Sequence, residues 1–102
     1  MSERHVVVQF NRGTFPVWSD GAGRVTDRAG PLELPMSDPL REHFRSWAAE
    51  MERLMRSRAD RPLEFQRLNR VGRRLAEQLS NELGSGYCVE YFDEESGGFV
   101  AT

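Results

Sequence analysis

The apolar residues of this chain fall into two rhythms, one near its ends and another through its middle. The run His5-Val6-Val7-Val8-Gln9-Phe10 is β-branched and apolar at consecutive positions, which predicts a strand with apolar groups on both faces. Asn11-Arg12-Gly13 punctuates it, and Thr14-Phe15-Pro16-Val17-Trp18 predicts a second, shorter strand. Pro16 has no amide hydrogen to give to a ladder, so that strand belongs at a sheet edge. Ser19 to Gly23 has turn composition, Arg24-Val25-Thr26 is placed to complete a small hairpin, and residues 27–35 form a loop that Leu32 and Leu34 pin to the core.

In the middle of the chain the apolar step changes to three and four. Ser37 is a good helix N-cap with Asp38 and Pro39 suited to the first turn. Leu40, Phe44, Trp47, Ala48, Met51, Leu54 and Met55 then mark one helical face, which ends near Ser57. Asp60 and Pro62 restart the chain, and Phe65, Leu68, Val71, Leu75, Leu79 and Leu83 repeat the spacing until Gly84 supplies a left-handed stop. Each helix is about 20 residues and roughly 30 Å long, and the short link makes the pair antiparallel. Gly72 near the buried stripe predicts a close backbone approach, since glycine inside a helix costs about 1 kcal/mol against alanine. Tyr87 to Phe92 is strand-like again, Asp93 to Gly98 turns, and Phe99-Val100 closes the chain as a short strand.

Strands, two helices and strands again predict an α+β fold, a single domain over residues 1–102. Its N- and C-terminal strands form a small antiparallel sheet packed against two long antiparallel helices.

Composition narrows the setting. With 102 residues, 38% hydrophobic and 29% charged, the chain is long enough for one modest core. One cysteine excludes an internal disulfide framework and a thiolate zinc site. The N-terminus carries no secretory pattern and no apolar stretch approaches the roughly 20 residues that span a bilayer, so a soluble cytoplasmic protein without a membrane partner is expected. Net charge is −2, which offers no overall basic field for nucleic acid. All fourteen basic residues are arginine, a bias that reflects a GC-rich bacterial or phage genome rather than selection for guanidinium contacts.

Few residues carry chemistry. Cys88, mid-strand between tyrosine and valine, reads as a buried structural thiol, because neither His5 nor His43 is linked to it by any nucleophile signature. Asp93, Glu94 and Glu95, with Glu90 nearby, read as a solvated hairpin turn, since the run lacks the alternating oxygens of a calcium loop. Arg67, Arg70, Arg73 and Arg74 form the densest basic cluster, preceded by Arg53, Arg56, Arg58 and Arg61. Arg67, Arg70 and Arg74 share a helical face that could follow phosphates, but Glu64 and Glu77 neutralise it and no nucleic-acid motif accompanies it. Phe15, Trp18, Tyr91 and Phe99 lie where a small sheet leaves aromatics half covered, the usual anchors of protein interfaces.

Three stretches, PVWSDGAGRV, LELPMSDPLREHFRSWAAEME and FQRLNRVGRRLAEQLSNELGSGYCVEYFDE, together resemble a set of small bacterial proteins of unknown function, actinobacterial in type. The matching positions are structural and span most of residues 14 to 95: Pro16 and Trp18 in a strand, Gly21 in a turn, and Leu34, Pro35 and Ser37 at a helix start. Trp47 follows mid-helix, with Gly72, Leu75, Ala76, Glu82, Leu83 and Gly84 in the second helix and its stop, and Tyr87, Val89 and Tyr91 in the closing strand. The resemblance supports the element order and implies no activity, cofactor or catalytic residue.

The expected function is therefore a small partner-binding protein of the immunity, antitoxin or phage counter-defence type, acting by protein–protein contact. It is not an enzyme and holds no metal or cofactor. The residues expected at the partner surface are Trp18, Tyr91, Asp93 and Glu94, and the partner is another protein, such as a basic toxin or a nucleic-acid-handling complex. The alternative is a nucleic-acid binder using Arg67, Arg70 and Arg74. The oligomeric state is open, a homodimer included.

Overall fold

The computed structural model describes residues 4–20, 34–57 and 61–102. Within them the chain forms β1 (Arg4–Val8), β2 (Val17–Asp20), α1 (Asp38–Arg56), α2 (Pro62–Leu83), β3 (Tyr87–Asp93) and β4 (Gly98–Ala101). The strand expected at Arg24–Thr26, Leu32, and the restart at Asp60 lie outside the described residues. The second strand begins later than its composition suggests. Pro16 is buried just ahead of it, and Ser19 and Asp20, expected to turn, continue the ladder opposite Val6 and His5.

The helices follow their apolar stripes. Ser37 caps α1, its Oγ accepting the Leu40 amide at 3.3 Å, and Leu40, Phe44, Trp47 and Met51 are buried below it. Met55, beyond the last buried turn, is exposed. Pro62 opens α2, and Gly84 closes it at φ 82°, where a side chain would be strained. The far end of α2 is fastened to the start of α1: the Ser37 amide and hydroxyl donate to the two carboxylate oxygens of Glu82, both at 2.7 Å. That contact fixes the two helices as an antiparallel pair.

The class is α+β as the pattern implies, but the sheet is mixed, not antiparallel. Its order is β2-β1-β3-β4, with β1 and β3 parallel and the two outer pairs antiparallel. The reason is the number of passes. Among the described residues β1, β2, α1 and α2 make four successive passes before β3, an even number, in keeping with β3 running the same way as β1. An α-helical crossover of this kind is what a parallel pair requires.

Alternation along the strands then assigns the two faces. Val6, Val8, Val17, Val89 and Tyr91 join Phe44, Trp47, Leu75 and Leu79 in the core beneath the helices. His5, Val7, Trp18, Cys88, Glu90, Phe92 and Phe99 occupy the register positions of the opposite face. Cys88 is exposed, which corrects the expectation of a buried thiol. It shares its face with Glu90, whereas its neighbour Val89 takes the core position.

Candidate partner-binding site

The site grows out of one polar side chain on the buried face of α2. Asn69 follows Phe65 by four positions and precedes Gly72 by three, so it falls in the apolar stripe, and it is only 6% exposed. A buried amide must find partners, and this one finds them all in β3 and the turn after it. Its Oδ1 accepts from the Tyr91 hydroxyl at 2.5 Å and from the Glu94 amide at 3.4 Å. Its Nδ2 donates to Asp93 Oδ1 at 2.8 Å and to Glu95 Oε1 at 3.3 Å.

Asp93 completes the turn locally. Its Oδ1 also accepts the amides of Glu95 and Ser96, its carbonyl accepts the Gly97 amide at 2.8 Å, and Gly97 takes φ 74° to bring the chain back into β4. The Asp93 and Glu95 carboxylates are thereby held at the tip of the β3–β4 hairpin, and the backbone amide of Glu94 between them is tied to Asn69. Their electrostatics follow from this arrangement. The Asn69 amide, with the turn amides, holds the Asp93 carboxyl below its ordinary value, and the charge of Arg73 assists. Burial, then the charge of Asp93, pushes Glu94 up. Burial, followed by the three carboxylates, drives the Tyr91 phenol far above its usual range.

Elsewhere on the molecule acids and arginines pair off: Asp38 with Arg41, Glu42 with Arg45, Glu52 with Arg56, Glu64 with Arg61, and Glu50 with Arg67. Among the described residues no ion pair engages Asp93, Glu94 or Glu95. One strand position below the turn, Phe92 and Phe99 meet edge to face at 5.2 Å on the face away from the helices, with Phe99 53% exposed.

The expected partner residues separate. Asp93 and Glu94 are at the tip. Tyr91 is 1% exposed and packs against Trp47, so it belongs to the core and not to a surface, a correction forced by the Val89–Tyr91 alternation. Trp18 is half-buried on β2, two strands from β3, or about 10 Å across the sheet; its indole donates to the Gln9 carbonyl at 3.3 Å. Arg67, Arg70 and Arg74 are exposed on α2, with Arg67 3.5 Å from Glu50. Phe92 and Asn69 were missed. The available signal for Asn69 was an amide inside an apolar stripe.

Among the described residues no three His, Cys, Asp or Glu side chains are placed to hold a metal, and no helix is long and apolar enough to cross a membrane. An apolar recess of about 330 Å³ lies between the β1–β2 connection and α1, lined by Phe10, Phe15, Pro16 and Ala48. Arg45 and Glu52 at its margin carry opposite charges and so select no partner of one sign.

Comparison of the sequence with known families gives a match. The family described as Serratia CdiI immunity protein-like matches residues 4–94. The chain belongs to that family. A comparison with the curated proteins gives no match. The CdiI-like match runs from the first residue of β1 through Glu94, so it takes in the helix pair, Asn69 and the first two acids of the turn, while Phe99 lies beyond it.

Proposed function

We propose that this protein is an immunity protein that neutralises a toxin inside the producing cell by binding it directly, with no chemistry of its own. The observation that carries this reading is the immunity-family match over residues 4–94. The acidic turn supports it, because carboxylates prearranged by Asn69 lose little freedom when a partner arrives. A toxin that acts on nucleic acid is cationic on its working surface, and fixed carboxylates are complementary to such a surface.

The test is co-expression with a toxin domain taken from a gene found next to this chain's gene. Wild-type protein restores growth and co-purifies with the toxin domain as a stable complex. A folded protein that neither restores growth nor forms that complex refutes the assignment.

A further inference from the structure

The immunity reading leaves open where the toxin docks, and the molecule offers several surfaces. The exposed end of the helix pair presents Met55 and Leu63, but Arg53, Arg61 and Glu64 around them mix both signs of charge. Arg70 and Arg74 form a polar face with no aromatic anchor. The end of the β3–β4 hairpin differs from both.

There Phe99, on an edge strand, is more than half exposed, and its ring meets Phe92 edge to face at 5.2 Å. A large aromatic left in water is suited to filling a partner's pocket. Cys88 and Ala101, on the same face, are exposed as well, and the helices pack on the other side of the sheet. The turn beyond the ring pair carries Asp93, Glu94 and Glu95, which no arginine engages in an ion pair among the described residues. Charge therefore selects the occupant: an apolar anchor next to three acidic residues without a salt bridge among the described residues fits a protein surface that is apolar at its centre and cationic at its rim.

Resting on the immunity reading, we propose that the toxin docks on the outer end of the β3–β4 hairpin. Phe99, beside Phe92, is the apolar anchor, and Glu94 and Glu95 guide a cationic rim of the toxin into place.

The experiment measures association and dissociation rates against the neighbouring toxin domain, made catalytically inactive, at low and high salt. Four proteins are compared: wild type, Phe99→Ala, Glu94→Gln/Glu95→Gln, and Arg70→Ala/Arg74→Ala as a control elsewhere on the surface. Thermal melts confirm that each is folded; Phe99 and Glu95 are exposed, so their replacement spares the core. Phe99→Ala is expected to weaken binding about 30-fold or more, chiefly through faster dissociation, the scale of an aromatic hot spot. The double glutamine variant is expected to associate about 3–10-fold more slowly at low salt, with the difference fading at high salt. The arginine control is expected to match wild type. Wild type that binds while Phe99→Ala and the glutamine variant bind equally well overturns the docking site and leaves the immunity function standing. Wild type that does not bind removes both.

Discussion

The indole Nε1 of Trp47 donates to the backbone carbonyl of Leu68 at 2.7 Å, joining the middle of α1 to the second turn of α2. That carbonyl lies one helical turn before Gly72. A Cβ added at Gly72 would sit 2.5 Å from Trp47 Cζ2 and 2.8 Å from the Tyr91 ring and hydroxyl. The glycine is therefore required by two aromatic side chains, not by the backbone approach its position suggested. Gly72→Ala is expected to destabilise the protein by about 1–3 kcal/mol through overpacking, despite alanine's better helix propensity. Urea melts measure it, and a double-mutant cycle with Trp47→Phe should recover part of the loss. A Gly72→Ala protein as stable as wild type would show that the aromatic contact is loose.

Glu94 gives the turn a pH dependence whose sign can be worked out. Its carboxyl is raised by burial and by Asp93, so its contribution favours folding below the unfolded carboxylate value of about 4.3 and is lost as pH rises through the higher folded value. Asp93 is lowered and behaves oppositely, contributing above its unfolded value and losing that contribution as pH falls through the folded one. Glu94→Gln should accordingly be more stable than wild type at pH 7, with the gap closing on acidification to about pH 4. Equal gaps at both pH values in chemical melts would contradict the cause assigned here.

Cys88 is exposed in the folded protein. Labelling by a water-soluble thiol reagent should go to completion without denaturant, and Cys88→Ser should melt like wild type. Protection that disappears only in urea would show the thiol to be covered.

The arginine face of α2 is expected to be a solvated surface. Filter binding at low salt should retain no duplex DNA with wild-type protein. Retention that declines steeply with salt, at a slope near −0.9 per phosphate contacted, and that vanishes in Arg67→Ala/Arg70→Ala/Arg74→Ala would favour a nucleic-acid function instead.

The helices were legible in the sequence because a period of three and four leaves little freedom: Leu40, Phe44, Trp47 and Met51 could share a face only in a helix. The cap at Ser37 and the stop at Gly84 were legible for similar local reasons. Strand direction was not, because alternation encodes which face a residue takes and says nothing of the neighbour's orientation. Tyr91 and Phe92 show the same limit at residue scale. Both are aromatic and adjacent, and only the register with Val8 and Phe99 decides that Tyr91 enters the core while Phe92 faces outward. Asn69 was hidden by its surroundings. Its partners lie more than twenty positions away, in a turn that had to be placed in space before their convergence could be seen.

The pairing of β1 with β3 has a consequence for how the protein is born. His5 and Glu90 face each other from positions 85 residues apart, so the central ladder of the sheet closes only after the helix pair between its two strands has been synthesised. Until then β1 has β2 on one side and a bare row of amides and carbonyls on the other, and Val6 and Val8 have no helices to cover them. Closing so long a loop slows the last step of folding, and an open apolar edge invites mispairing with other chains while it lasts. The helix pair, whose contacts are local by comparison, is free to assemble first and offer Trp47 and Leu79 as a platform on which the late strand lands. The pairing of Tyr87 to Asp93 along β1 is thus the contact that joins the two ends of the fold and seats the hairpin tip on Asn69.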